Sequence, residues 1–522
     1  MAASFCARRV GRMCIVVQRI TQFFFGSNVE YARKNATICP MSTRAIATST
    51  LWQLASQVAM AALSILTVKF VAIGLSKELA GNYNSAYGYL QMFGILADFG
   101  LYAVAVREVS KATNREKVLG TLIVIRLMIL VLSLALALAL VWLLPMWQGT
   151  PLPLGVTIAA LVPFFTLLAG IVRTVFQVNY KMHYVFVAEV TQRIVTVSLI
   201  SLFILSGVRG STDLHVYHLF LFVGGVGAFI LFFISLFCGN RIMKIRPHFQ
   251  YALLKTLLRS AAPYGIAFLC MALYRQFDVT MIALLRPDYE LQNAYYGFVV
   301  RMTDMGFLIP TFLLNSILPV LSERDSNGED TQSLLGKTFL TLLLFGAIAF
   351  LFSALWSRPL VQLLTTDSYL STPQRPGSDT ALRLMSIPLL LNSVVLYSFY
   401  VLLTKHKWKQ LACTLLVGAV CSLGLNSILI PLYGFVGAAT TSIMTHGILS
   451  ILLLPQSLRA MPIRIATYQV RSLLFFLCIL AAGLWLYKPL LTGEISTLIG
   501  LASMTVLMGS AVVGTKLKGA LM

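Results

Sequence analysis

The feature that most constrains this chain is a series of apolar runs, each long enough to cross a bilayer, recurring from about Leu51 to Val513. A membrane-spanning helix needs roughly 20 mainly apolar residues. The composition agrees, with 58% hydrophobic and only 11% charged residues, where a soluble domain carries about 25% charged. The chain is therefore expected to be all-α, a polytopic membrane protein of about 14 transmembrane helices. The expected spans are 49–75, 82–106, 118–144, 152–177, 184–206, 214–238, 260–285, 291–319, 334–356, 380–403, 411–430, 434–454, 468–487 and 495–514.

The formal charge of +22 would suggest nucleic acid in a soluble protein. Here the basic residues sit mostly between apolar runs, as the positive-inside rule requires, so nucleic acid is not an expected partner. Of 40 Lys and Arg, 28 fall before span 1, after the last span or in alternate loops, 6 in the opposite loops and 6 inside spans. That asymmetry places both termini in the cytoplasm. The loops are short, and the longest opposite one, near 357–379, is too small for a catalytic domain.

Residues 1–47 stand apart as a basic extension with Arg8, Arg9, Arg12, Arg19, Arg33, Lys34 and Arg44. The run Cys14–Phe25 is short and polar-interrupted, a poor signal peptide. It reads either as a surface-lying amphipathic helix or, preferred, as sequence upstream of a start at Met41. Residues 48–238 are then an amino-terminal lobe of six spans, 239–259 a basic cytoplasmic linker, 260–455 a second six-span lobe, and 456–522 two further spans with a cytoplasmic tail. The eight Cys form no CxxC pair, so no metal or cofactor is expected.

A weak repeat crosses the linker. Shifting the chain by 209 residues matches Ile73 with Ile282, Leu75 with Leu284, Asn84 with Asn293, and Tyr87-Gly88 with Tyr296-Gly297. Six spans separate the matched segments, so the two halves share one orientation. That is a parallel repeat about an axis along the membrane normal, a transporter architecture with substrate between the halves.

Ionisable residues inside spans are costly and therefore candidates for function. The basic ones are Lys69, Arg126, Arg193, Arg275, Arg301 and Arg383, and the acidic ones Asp98, Glu189, Asp278 and Asp304. Glu189/Arg193 at i,i+4, Arg275/Asp278 at i,i+3 and Arg301/Asp304 at i,i+3 are expected to pair along their own helices. Arg383 sits near a span end and can snorkel. Lys69 has no acid three or four positions away and matches Asp278 in the repeat register. It is expected either to close a gate with that residue or to bind an anion. Lys69, Arg275 and Arg301 form the candidate substrate-binding set, and Asp98, Asp278, Asp304, Glu189 and Arg193 the gate or ion-pair set. Cationic walls suit a phosphate-bearing substrate. Tyr83, Tyr87, Tyr89, Tyr295 and Tyr296 offer sugar-stacking faces or interfacial belt positions.

Leu79–Lys111, with its ending Asp98-Phe99-Gly100-Leu101 through Arg107-Glu108, resembles the second span of polysaccharide-biosynthesis flippases of the multidrug/oligosaccharidyl-lipid/polysaccharide exporter superfamily. Arg275–Leu285 resembles the seventh-span pattern with an aspartate, and Ile428–Met444 a stretch before a late span. The resemblance implies two six-helix lobes around a central cavity, two extra helices, and alternating access. It implies an undecaprenyl-diphosphate-linked oligosaccharide repeat unit carried across the bacterial inner membrane for exopolysaccharide, capsule or O-antigen synthesis. Membrane lipids and a polysaccharide polymerase are the further implied partners. Competing expectations are a cation-coupled multidrug exporter and a peptidoglycan lipid-precursor flippase of the same superfamily. A membrane polymerase or ligase is the competing enzyme reading, disfavoured because no acid/base constellation is assembled.

Overall fold

The computed structural model describes residues 40–98, 115–244, 247–248 and 251–515. Most of the amino-terminal extension, the end of the expected second span and part of the linker lie outside the described residues.

The described chain is helical throughout. The amino half comprises α1 (Pro40–Gly74), α2 (Lys77–Asp98), α3 (Arg115–Leu143), α4 (Leu152–Ala159), α5 (Leu161–Val178), α6 (His183–Leu205) and α7 (Leu214–Ile242). The carboxy half comprises α8 (Tyr251–Gln276), α9 (Asp278–Leu285), α10 (Tyr289–Ser326), α11 (Gln332–Leu355), α12 (Ser357–Leu364), α13 (Ser378–Thr404), α14 (Trp408–Tyr433) and α15 (Phe435–Ala460). The last two helices are α16 (Thr467–Tyr487) and α17 (Glu494–Gly514).

Composition explains where the helices run. The α3 segment is almost entirely Leu, Ile, Val and Ala, and it stops where Pro145 interrupts the chain. Between α14 and α15 the chain turns on one residue, Gly434, at φ 59°, a left-handed backbone that favours glycine. A Cβ there would also strike the side chain of Gln292.

Among the described residues, eleven helices are long and apolar enough to cross a membrane, and the pair α8–α9, bent by 59° at Phe277, makes a twelfth if it is one span. The spans expected on α2 and α10 include positions outside the described residues and are not in that count. Both helices pack against each other at the centre of the molecule, and α2 is buried on every face from Leu79 to Ala86. Away from lipid they can carry Asn82, Asn84, Gln91, Asn293 and Asp304 without meeting hydrocarbon.

Within the amino half, α1 packs on α6 and α5 on α7; in the carboxy half, α13 packs on α11 and α15, and α8 on α14. The α16–α17 pair joins the carboxy half through α11 and α12. There Trp356, fully buried, donates its indole N–H to Leu484 O at 2.8 Å. For orientation, the side bearing the connection between the halves is called the linker side, and the opposite one the far side.

Candidate substrate cavity between the halves

On the far side the halves are sealed. Asn84 Nδ2 donates to Asn293 O at 3.1 Å, and Asn293 Nδ2 donates to Ser85 Oγ at 2.8 Å and to Val279 O at 3.0 Å. The two asparagines matched by the 209-residue shift thus meet across the interface. Nearby, Tyr289 O–H donates to Asn82 Oδ1 at 3.0 Å and Asn82 Nδ2 to Glu290 Oε1 at 2.9 Å. Glycines let the backbones approach. A Cβ on Gly81 would lie 1.6 Å from the Glu290 carbonyl oxygen, and one on Gly297 would strike Asn84. Trp147, in the one-turn helix after α3, is buried and donates its indole N–H across to Ala283 O at 2.9 Å.

Towards the linker side the halves part around a cavity of about 1190 Å³. Its amino-half wall comes from α1, α2, α5, α6 and α7, and its carboxy-half wall from α8, α10, α13 and the first residue of α14. Seven charged residues line it: Asp98, Arg173, Glu189 and Arg193 on one wall, and Arg275, Arg301 and Asp304 on the other.

Pairing follows helix packing rather than position along one helix, which corrects the i,i+3 and i,i+4 expectations. Glu189 is taken by Arg173 Nη1 at 2.9 Å and by the Ser56 hydroxyl, from two other helices. Arg275 Nη2 pairs with Asp304 at 3.1 Å, not with Asp278, and its guanidinium lies 4.5 Å over the Phe307 ring. Asp98 pairs with Arg126 of α3. Asp278 is buried, accepting from Tyr296 O–H at 2.9 Å and Asn426 Nδ2 at 3.1 Å, and does not line the cavity. Neither does Lys69, which pairs with Glu494 at the start of α17. A gate between Lys69 and Asp278 is therefore absent here: each residue has satisfied itself elsewhere. Arg383 is exposed, as a snorkelling residue should be.

Two cavity arginines remain. Among the described residues, neither Arg193 nor Arg301 makes an ion pair. Arg301 lies 5.1 Å over the rings of both Tyr83 and Tyr87, which themselves pack 4.8 Å apart. Arg193 comes from the other half, lies within electrostatic reach of Arg301 and of the same tyrosines, and holds a buried Nε with no hydrogen-bond partner. The sequence thus singles out every charged residue of the cavity lining except Arg173. It also misses Gln91, Gln192 and Thr196, which carry no charge to betray them. The far-side seam's Trp147 escapes it too, although Trp147 and Trp356 are separated by the same 209 residues as the other repeat matches.

A helical membrane protein with two halves sealed on one face and parted around a polar cavity on the other has the fold of a transporter. A family described as "Polysaccharide biosynthesis protein" matches residues 46–325, more than half of the chain, and the chain belongs to that family. Solved structures agree on the fold. "Lipid II flippase MurJ, inward closed conformation" is matched at TM-score 0.63 and 16% identity over 89% of this chain and 99% of that one. "Inward-facing conformation of a multidrug resistance MATE family transporter of the MOP superfamily" is matched at TM-score 0.59 and 13% identity over 77% and 94%. "Crystal structure of MATE in the bent conformation" is matched at 0.53 and 13% over 80% and 95%. Among curated proteins, none matches the chain.

Proposed function

We propose that this protein is a flippase that carries a lipid-linked oligosaccharide repeat unit, joined through an anionic diphosphate such as that of undecaprenyl diphosphate, across the bacterial inner membrane by alternating access. The single observation that carries the reading is the pair Arg193 and Arg301. One arginine comes from each half, both face one cavity, and neither has a carboxylate partner. Two guanidiniums that form no ion pair in a membrane interior are expensive, and a bridging diphosphate relieves both with bidentate contacts. Cavity amides and hydroxyls, Gln91, Gln192, Thr166 and Thr196, supply hydrogen-bonding partners for sugar hydroxyls.

The linker side is then cytoplasmic, as the distribution of Lys and Arg requires. Loading occurs from that leaflet, and release follows when the far-side seam opens. A cationic drug would meet the wrong sign of charge at this pair, which disfavours the exporter reading; a peptidoglycan lipid precursor shares the diphosphate and stays the nearer competitor.

The test is Arg193→Gln and Arg301→Gln in the producing cell. A charge-assisted contact is worth about 1.5–3 kcal/mol, so each change should lower flipping by roughly 10- to 150-fold. Lipid-linked repeat units should accumulate on the cytoplasmic leaflet while the protein still reaches the membrane. Lys69→Gln, whose charge points away from the cavity, should leave export near normal. Full export by the Arg193/Arg301 double variant would end this reading.

A further inference from the structure

One of the two cavity arginines is held by the opposite half. Arg301 belongs to α10, yet its guanidinium lies 5.1 Å over the rings of Tyr83 and Tyr87 on α2. The two tyrosines are spaced i,i+4, so they share one face of their helix. Their rings pack 4.8 Å apart and make one aromatic shelf. Tyr87 is also confined by α7, where a Cβ on Gly224 would lie 2.4 Å from its hydroxyl oxygen. The shelf adjoins the far-side seam. Tyr83 is next in sequence to Asn84, and Arg301 stands about one turn beyond Gly297, where a Cβ would strike Asn84.

The repeat explains why this tyrosine can serve a cation. Tyr296, the counterpart of Tyr87 under the 209-residue shift, gives its hydroxyl to Asp278 at 2.9 Å. The counterpart of Asp278 is Lys69, which is paired with Glu494. The position matching Arg301 in the amino half is Met92. The repeat therefore builds no second copy of the shelf: arginine comes from the carboxy half and rings from the amino half.

An arginine stacked on aromatic rings keeps its N–H fork for acceptors in its own plane. Fixing the side chain before the acceptor arrives tightens binding. Because the rings and the arginine belong to different halves, parting the halves at the seam takes the shelf away. We propose that Tyr83 and Tyr87 are positioning residues that hold Arg301 ready for an anionic substrate group only while the far side is sealed, so that opening the far side loosens the group and releases it. The inference rests on the flippase reading and gives it a difference in affinity between the two access states, without which a ligand shifts no equilibrium. Coupling is reciprocal, so a bound anion also favours the sealed seam.

The probe is inorganic diphosphate, titrated calorimetrically into the purified full chain in nanodiscs. Tyr83→Leu/Tyr87→Leu should bind it about five- to thirtyfold more weakly than the parent, the worth of two cation–π contacts. Tyr83→Phe/Tyr87→Phe keeps both rings and should bind within about threefold of the parent. Gly224→Ala should weaken binding by displacing Tyr87. Adding Tyr87→Phe removes the clashing oxygen, leaves a ring carbon at 3.7 Å, and should restore binding. The second readout is far-side labelling of a cysteine placed at cavity residue Ser64, in vesicles loaded on the linker side with inorganic diphosphate. The anion should lower labelling about fivefold or more in the parent background and the Phe variant, and by less than about twofold in the Leu variant. Parent-like binding by the Leu variant that still requires Arg193 and Arg301 would overturn the shelf and leave the flippase reading standing. Weakened binding in the Leu variant, with labelling that the anion lowers as much as in the parent, would overturn the coupling. Absence of diphosphate binding by the parent would overturn both the shelf and the flippase reading.

Discussion

The far-side seam and the linker-side cavity are built between the same two halves and share α2 and α10, but differ in chemistry. The seam is made mainly of neutral hydrogen bonds among Asn82, Asn84, Ser85, Tyr289, Asn293 and backbone carbonyls, with one from Asn82 to the Glu290 carboxylate, at glycines that admit no side chain. The cavity is made of guanidiniums, carboxylates and open space. A neutral hydrogen bond contributes about 0.6 kcal/mol on average inside a membrane protein, so a seam of a few such bonds closes firmly yet can be exchanged for another arrangement. Charges behave otherwise. On the proposed reading Arg193 and Arg301, which form no ion pair among the described residues, take an anionic group, and no rearrangement of neutral groups replaces it. The contrast separates the roles: the seam sets which face is shut, and the cavity sets what is carried.

Two glycines on α2 break the comparison most sharply. Gly81 lies in the seam against a backbone carbonyl that cannot swing aside, whereas a Cβ on Gly94, in the cavity, meets nothing within 4 Å. Gly81→Ala is expected to wedge the seam apart and cut transport by about 100-fold, the scale of overpacking a close contact. A cysteine at cavity residue Ser64 should become reactive to an impermeant thiol reagent added from the far side. Gly94→Ala should stay within twofold of the parent in both assays. If Gly81→Ala leaves far-side labelling unchanged, the seam is not the closed gate.

The next test lies within the cavity. Arg173 and Arg193 flank the same carboxylate, but only Arg173 is bonded to it. Arg173→Met leaves a largely buried Glu189 with only a hydroxyl, and about 2–3 kcal/mol of stability should disappear, read as a lower unfolding midpoint. Arg193→Met breaks no pair, so its unfolding midpoint should hold while its transport fails. A shared loss of stability would mean that Arg193 supports the fold rather than the substrate.

A smaller effect is expected at the seam's polar centre. Asn293→Ala removes donors to Ser85 and Val279. At about 1 kcal/mol it should shift the balance of the two access states roughly fivefold towards far-side labelling, with little change in substrate affinity.

The fold was legible because it is written in long periodic signals. Apolar runs marked the eleven described helices long enough to cross a membrane and the bent α8–α9 pair. The repeat was legible at Asn84 and Asn293, which turn out to touch. Pairing was not legible, because i,i+4 spacing brings two side chains near each other without saying which third helix arrives first. Glu189 went to Arg173 and Ser56 for that reason. Lys69 shows the same limit. Its partner, Glu494, lies 425 positions away on a helix that has no repeat counterpart, so no register or periodicity could have joined them.

The mildest prediction concerns a contact that stays within one half. On the far side Asp288 accepts from Arg286 Nε at 2.7 Å and Nη2 at 3.0 Å and from Gln292 Nε2 at 2.7 Å. Gln292 Oε1 accepts from Phe435 N at 3.0 Å, and Arg286 Nη1 donates to Pro431 O at 2.9 Å, so the group ties the α9–α10 connection to the α14–α15 turn. The Arg286 guanidinium holds the Asp288 carboxyl below its ordinary value of 3.8. A carboxyl depressed in the folded state stabilises it above that ordinary value, and the contribution fades as the pH falls below it. Asp288 is 40% exposed, so screening by solvent limits the effect to under about 1 kcal/mol. Acidification through that range should therefore lower the unfolding midpoint of the parent slightly more than that of Asp288→Asn. Far-side labelling of the cavity cysteine should not respond, since both ends of the clasp move with the carboxy half. A labelling increase that tracks Asp288 titration would place this clasp in the gate and dissolve the distinction between contacts within a half and contacts across the seam.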